Sequence, residues 1–243
     1  MDTSSGWNGI ADEWIRVMDE RGDRHRDGLL DAWMLDAVGD VRGLKVIDLG
    51  CGEGRFCRML AQRGAQVTGI DFAQRFVEHA DAHRVGDETY MHGDMQNLVG
   101  IEDESFDLAV SYITLVDVPD MEAAVREAHR VLRPGGRFII CNLQPMVLAG
   151  GCWVKAGQEK LHFKLDNYFD EGERVLRMLG GTVINYHRAL GTYINCFLEA
   201  GFLLDGIREP KPSPEQLAEY PDLADILRVP DFIIYLLRKD NTK

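Results

Sequence analysis

Three acids, a cluster of glycines and two histidines are the residues of this sequence best suited to bind a ligand or move a proton. Asp48 stands just before Gly50-Cys51-Gly52-Glu53-Gly54, where glycines occupy alternate positions. Glycines so spaced let a ligand approach the main chain, and a helix starting near Glu53 would offer it free N–H groups. The pattern is G-x-G-x-G, not the G-x-G-x-x-G of dinucleotide sites. Asp48 and Glu53 would repel a pyrophosphate and attract a cationic ligand. Asp71 comes about 20 residues after the turn, where an acid can accept hydrogen bonds from ribose hydroxyls. Its plainer reading is a helix N-cap before Ala73. Asp94, between Gly93 and Met95, closes the series, and taken alone it would be an ordinary turn residue.

Proton transfer near neutral pH suits a histidine. His187 is the first candidate for a general base, with His162 and Tyr168 second. A capping or core hydrogen-bonding role competes for His187, and a structural strand position competes for His162. Asp117 could orient a base or touch substrate, or be a solvated loop acid near Asp120.

Alternating strands and helices must position these residues. Lys45–Leu49 is an apolar, β-branched strand, and a helix over about Glu53–Arg63 ends at Gly64. Gln66–Asp71 is the second strand, followed by a helix over Gln74–His83 and the strands Thr89–His92 and Ser105–Tyr112. Met121–Leu132 is an amphipathic helix whose later residue His129 favours the C-terminal dipole. Pro134 stops it, and Gly135-Gly136 make a tight return into Phe138–Cys141. Phe202–Ile207 and Phe232–Leu237 are the last strands. The prolines 210, 212 and 214 stiffen the loop between them, and Pro221 breaks a short helix over Glu215–Leu227. Ahead of this core, Trp7–Val38 predicts two helices around a polar Arg21–Arg26 turn. The three tryptophans there are either core anchors or parts of a lid. Lys160–Leu165 and Val175–Leu179 predict strands around the Asp170-Glu171-Gly172-Glu173 turn. The fold class is α/β, doubly wound and Rossmann-like, in one domain spanning 1–243.

With 243 residues and a net charge of -13, the chain can bury a full core and repels phosphate backbones, so no nucleic acid is expected. The five cysteines are scattered without a C-x-x-C pair, which predicts reduced thiols and no metal site. The N-terminal residues lack a signal-peptide pattern, and no apolar run approaches the ~20 residues of a membrane span. A cytoplasmic protein is expected, and nothing in the sequence specifies an oligomeric state.

Together, Val46 to Phe56, Asp71, Gly93-Asp94-Met95 and Leu132-Arg133-Pro134-Gly135-Gly136 resemble the class I S-adenosylmethionine-dependent methyltransferases. The resemblance covers about residues 44–142. It implies a seven-stranded sheet with six parallel strands and the last antiparallel. It also implies S-adenosyl-L-methionine as cofactor, S-adenosyl-L-homocysteine as product, and no metal. Asp48, Gly50, Cys51 and Gly52 would hold the cofactor at the turn, and Asp71 its ribose. Gly93, Asp94 and Met95 would meet the adenine, and Arg26 the methionine carboxylate. Phe72 and Ser111 complete the expected set. His187-Arg188-Ala189-Leu190 with Tyr193 is similar to a stretch of small-molecule methyltransferases of the type 11 kind. Residues 1–40 would form a helical lid and 144–190 a cap over the acceptor. No Asn/Asp-Pro-Pro-Tyr/Phe tetrapeptide follows the fourth strand, which argues against amino-group methylation of adenine or glutamine. A small-molecule acceptor is expected, at oxygen first, then nitrogen or carbon. The alternatives are a tRNA or protein methyltransferase, or a non-catalytic cofactor-binding regulator.

Overall fold

The structure, a computed structural model, describes residues 3–241. Helix α1 (Thr3–Arg21) stops at Gly22, whose φ of +67° ends it. Asp23 then accepts from the main-chain N–H groups of His25 and Arg26, so helix resumes at once. The polar turn expected over Arg21–Arg26 is therefore shorter. One π-helical turn, Arg26–Leu30, leads into α2 (Asp31–Val38).

The alternating core follows as β1 (Lys45–Leu49), α3 (Arg55–Ala61), β2 (Gln66–Asp71), α4 (Gln74–Ala82), β3 (Thr89–His92) and β4 (Phe106–Tyr112). Helix α3 starts two residues later than its sequence suggests. Gly50, Gly52 and Gly54 all have positive φ, at 79°, 54° and 81°, which prolongs the turn. After a 3₁₀ turn at Leu115–Asp117 comes α5 (Met121–Val131), where the Asp120 side chain accepts from Ala123 N–H at 2.8 Å. Strand β5 (Leu132–Leu143) is longer than expected because pairing with β4 resumes directly after the helix. Phe106 sits opposite Leu132, and the register then jumps to Leu108 opposite Arg137. The Pro134-Gly135-Gly136 return is that bulge, with φ of +76° at Gly135.

Next come α6 (Pro145–Leu148), β6 (Cys152–Ala156), β7 (Glu159–Lys164), β8 (Gly172–Met178), β9 (Gly181–His187) and α7 (Leu190–Glu199). The last elements are β10 (Phe202–Arg208), α8 (Pro214–Glu219), a 3₁₀ turn at Pro221–Leu227 and β11 (Phe232–Lys239). The strands expected near 160 and 175 do form, but they do not pair with each other. β7 pairs with β6 and β8 with β9, each antiparallel, because each has a closer partner across a short turn. β9 turns Val183, Asn185 and His187 inward, and α1 lies across it.

The seven-stranded sheet has the order β10-β11-β5-β4-β1-β2-β3, with only β11 antiparallel to its neighbours. This is the doubly wound, Rossmann-like fold read from the sequence. One face is packed with α5 and α7 around Phe138, Tyr193 and Tyr235. The other carries α2 and α3 around Leu30, Val46 and Phe56. Strand order reverses between β1 and β4, so a crevice opens there at the carboxyl ends.

Candidate active site

The crevice is a cleft of about 360 Å³ bounded by the ends of β1, β2, β3 and β4, with α1 over it. Its floor is the glycine turn. The N–H groups of Gly50 and Cys51 donate to the Ile70 carbonyl at 2.8 and 2.9 Å, which ties the turn to β2. A Cβ on Gly50 would run into the Thr114 side chain, whereas one on Gly52 would meet no protein atom within 4 Å. Thr114 also donates to the Gly50 carbonyl at 2.9 Å. Beside it, Ile113 lies at the cleft with φ of +58°, a conformation costing a β-branched residue about 1–3 kcal/mol.

Three buried acids face this cleft. Asp48 is 1% exposed and accepts from the Cys57 thiol at 3.2 Å, while its other oxygen has no protein partner. Burial, with Asp71 and Glu53 nearby, pushes it up to about 7. Asp71 accepts from Gly52 N–H at 2.9 Å and Ala73 N–H at 2.8 Å; the N-cap of α4 is Ala73 itself, without a side-chain cap bond, so Asp71 is not the helix cap of its plainer reading. Burial raises it to about 6 against those two bonds. Asp117 is 7% exposed at the end of the 3₁₀ turn, and burial raises it to about 8. It accepts from the side chains of Asn185 on β9 and Trp7 on α1, which oppose that rise.

The N-terminal helices close the cleft with aromatic rings and one cation. Trp7 and Trp14 meet edge-on at 5.3 Å, a contact worth about 0.5–1.5 kcal/mol beyond its area. The Trp14 indole donates to Glu53 at 3.4 Å, fastening α1 to the glycine turn. Arg26 lies between the rings of Trp14 and Tyr112, at 5.7 and 5.4 Å from their centroids, and pairs with Asp23. Burial works against its charge, but Asp23, Tyr112 and Glu53 outweigh it and raise its pKa. Arg55 binds Asp27 and Asp31, and Tyr112 donates to Asp31 at 3.0 Å, so the π-helical turn is locked onto α3.

Ten of the eleven residues expected around the cofactor line this cleft. Arg26, Asp48, Gly50, Cys51 and Gly52 lie at its floor and α1 side, and Asp71, Phe72, Gly93, Asp94 and Met95 at the β2–β3 side. Asp94 is exposed and accepts from the Gln96 main-chain N–H at 2.8 Å. Ser111 is the exception. Strand alternation turns it opposite Ile140 into the core, and Tyr112, Ile113 and Thr114 reach the cleft instead.

The three candidates for proton transfer do not reach it. His187 is fully buried, and its Nε2 donates to the Tyr168 carbonyl at 2.8 Å. Tyr168 turns its hydroxyl to accept from Leu190 N–H at 2.8 Å. His162 is exposed on β7. The side-chain chemistry of His187 suits a base, but its inward position on β9 buries the ring. Asp117 lines the cleft instead. Its signal is an acid five residues beyond the end of the central strand, where the crevice opens.

Among the described residues no group of three or more His, Cys, Asp and Glu side chains could hold a metal ion, and no helix is long and apolar enough to cross a membrane. All five cysteines are free, and only Cys152 is exposed.

Residues 47–140 match the family described as a methyltransferase domain. An S-adenosylmethionine-dependent methyltransferase from Mesorhizobium loti superposes with a TM-score of 0.76 at 31% identity, over 86% of this chain and 96% of that one. A Listeria monocytogenes structure ascribed to the same class gives a TM-score of 0.78 at 29% identity, over 88% and 97%. A ubiquinone biosynthesis O-methyltransferase from Neisseria meningitidis is 34% identical across 55% of this chain and 58% of its own length. This chain thus spans little more than half of that relative. Family match, fold and near-complete superposition agree: the chain belongs to the class I S-adenosylmethionine-dependent methyltransferases and is an enzyme of that class.

Proposed function

We propose that this enzyme methylates a hydroxyl group of a small molecule, with Asp117 taking the proton. S-adenosylmethionine supplies an electrophilic methyl on a sulfonium. The buried Asp48 oxygen without a protein partner and the open space above Gly52 fit that cationic cofactor, with Asp71 accepting from its ribose and Asp94 and Met95 at its adenine. Arg26, which lines the cleft together with Arg55, is the cation assigned to its carboxylate. Helix α1 serves as a lid and β9, in the cap, supports the acceptor wall.

Asp117 carries this reading. It faces the same cleft as the glycine turn, from the acceptor side, between Asn185 and Trp7. A base with a pKa close to the working pH is efficient, and about 8 meets that requirement. Displacement at the methyl needs an aligned nucleophile in a dry site, which the rings of Trp7, Trp14 and Phe76 favour. The O-methyltransferase name of the Neisseria relative points the same way.

The test is a library of phenols, enols and amines offered with methyl-labelled cofactor. Label is expected on a hydroxyl, with kcat/KM rising as Asp117 loses its proton and levelling above about pH 8. Asp117→Asn should lower turnover about 10²–10⁴-fold and leave S-adenosylhomocysteine affinity within about twofold. Label only on amines, or full turnover in Asp117→Asn, would overturn the reading.

A further inference from the structure

The His187-Arg188 motif has a buried charge that the cleft does not use. Arg188 is 8% exposed, and its guanidinium lies 5.3 Å from the Tyr186 ring centroid. One nitrogen, Nη2, donates to the carbonyls of Val118 at 2.5 Å and Pro119 at 2.9 Å. Its Nη1 makes no well-formed hydrogen bond, the guanidinium interacts with the buried Tyr193 hydroxyl, and no carboxylate pairs with it among the described residues. Burying a guanidinium without a carboxylate is expensive, and apolar packing would serve stability better.

Those two carbonyls belong to the wall that presents Asp117. Asp117, Val118 and Pro119 all line the cleft. Three residues before Arg188 on the same stretch, Asn185 donates directly to Asp117. One strand therefore holds the wall by its main chain and by its acid. The strand is itself anchored. His187 donates to Tyr168 O, and Glu171 accepts from Ala189 N–H at 2.8 Å and from the Thr192 hydroxyl at 2.5 Å. From the opposite side α1 packs on β9 so closely that a Cβ on Gly6 would come within 2.9 Å of the Thr182 carbonyl. Trp7 of that helix supplies the second hydrogen bond to Asp117.

We infer that Arg188 is a positioning residue for the acceptor side of the cleft, fixing the Asp117–Pro119 wall through the Val118 and Pro119 carbonyls so that Asp117 faces the acceptor. This rests on the role proposed for Asp117. The groups facing that carboxyl are Asn185 from β9, Trp7 from α1, Asp71 from β2, Arg26 from the π-helical turn and Tyr193 from α7. Arg188 holds the main chain directly after Asp117, at the Val118 and Pro119 carbonyls. Removing it should weaken both hydrogen bonds to the ionised acid and favour the neutral form.

The experiment uses the full chain saturated with S-adenosylhomocysteine and follows the Asp117 carboxyl by infrared difference spectroscopy against the matching Asp117→Asn protein. Arg188→Met should move the titration midpoint upward by about one pH unit, the size of a hydrogen bond lost from a charged group, with S-adenosylhomocysteine affinity within about twofold. Arg188→Lys should recover at least half of the shift. An unmoved midpoint in Arg188→Met overturns the inference. If Arg188→Met does not fold, Arg188→Gln, which also loses the charge, decides: a raised midpoint supports the inference and a wild-type midpoint rejects it. The base assignment fails separately, when Asp117→Asn keeps its turnover, and that outcome leaves the midpoint measurement intact.

Discussion

The two sides of the cleft are built on opposite plans. On the β1–β2 side the main chain does the placing. Three glycines with positive φ shape the turn, and Gly52 N–H donates to Asp71, 19 residues away. On the side proposed for the acceptor, side chains from distant elements do it. Asn185 reaches Asp117 across 68 residues and Arg188 reaches Val118 across 70, while Trp7 comes from the first helix. A site made by backbone conformation tolerates few residue types at each point. One made by long-range side-chain bonds can be assembled from many combinations, which suits the part of an enzyme that selects its acceptor.

The largest expected effect tests the first plan. Gly50→Ala and Gly52→Ala each put a Cβ on a residue of positive φ, but only the first collides with the protein. Gly50→Ala should cost about 3 kcal/mol from strain and overpacking, lowering Tm by about 6–12 °C, and remove measurable cofactor binding by titration calorimetry. Gly52→Ala should cost only about 1 kcal/mol of stability, yet weaken S-adenosylhomocysteine binding at least tenfold, because its methyl enters the cleft. Wild-type affinity in Gly52→Ala would break the assignment of this turn as the cofactor's seat.

A second effect spans both plans, since each side buries acids. Asp48, Asp71 and Asp117 have folded pKa values of about 7, 6 and 8, all above the ordinary 3.8. In that window the folded state holds protons that the unfolded state has released. Stability is therefore complete below about pH 4 for these groups and falls as pH rises through each folded value. Each pH unit of difference corresponds to about 1.4 kcal/mol, so the ligand-free protein should lose several kcal/mol between pH 4 and pH 8. Urea unfolding at a series of pH values measures it. Asp117→Asn should remove the portion lost last, near pH 8. Flat stability from pH 5 to pH 8 would mean that these carboxyls are not desolvated.

The same contrast explains how far the sequence could be read. All seven strands of the main sheet were legible, as was the turn, because alternating glycines and the acids at strand ends have few other uses together. Helix and strand limits slipped where hydrogen bonds outvoted propensity, as at Asp23, which restarts a helix, and at the Pro134 bulge, and where positive-φ glycines delayed α3. Ser111 was misplaced by one step of strand alternation. The acceptor side was read poorly for a different reason. Its partners lie in separate hairpins whose pairing depends on turn geometry, so neither the burial of His187 nor the bond from Asn185 to Asp117 has a local signature. Arg188 sat inside a recognisable motif, but what it holds is visible only once Val118 and Pro119 are beside it.

The smallest expected effects concern the two histidines and sharpen this division. A base exchanges a proton with substrate, and its loss lowers turnover whatever happens to stability. His187 instead spends its Nε2 proton on the Tyr168 carbonyl and lies outside the cleft. His187→Ala removes a buried hydrogen bond and leaves that carbonyl without its partner, a loss of about 1–3 kcal/mol. The cost should fall on unfolding free energy, with turnover per folded molecule within about threefold of wild type and an unchanged pH profile. His162 is exposed on β7, and His162→Ala should stay within about 0.5 kcal/mol. Denaturation and pH-rate profiles taken on the same preparations separate the two outcomes. A His187→Ala protein of normal stability but depressed turnover would return the proton transfer to β9. The acceptor wall would then have to open far enough to admit substrate behind Asp117, which the two bonds from Arg188 to Val118 and Pro119 oppose.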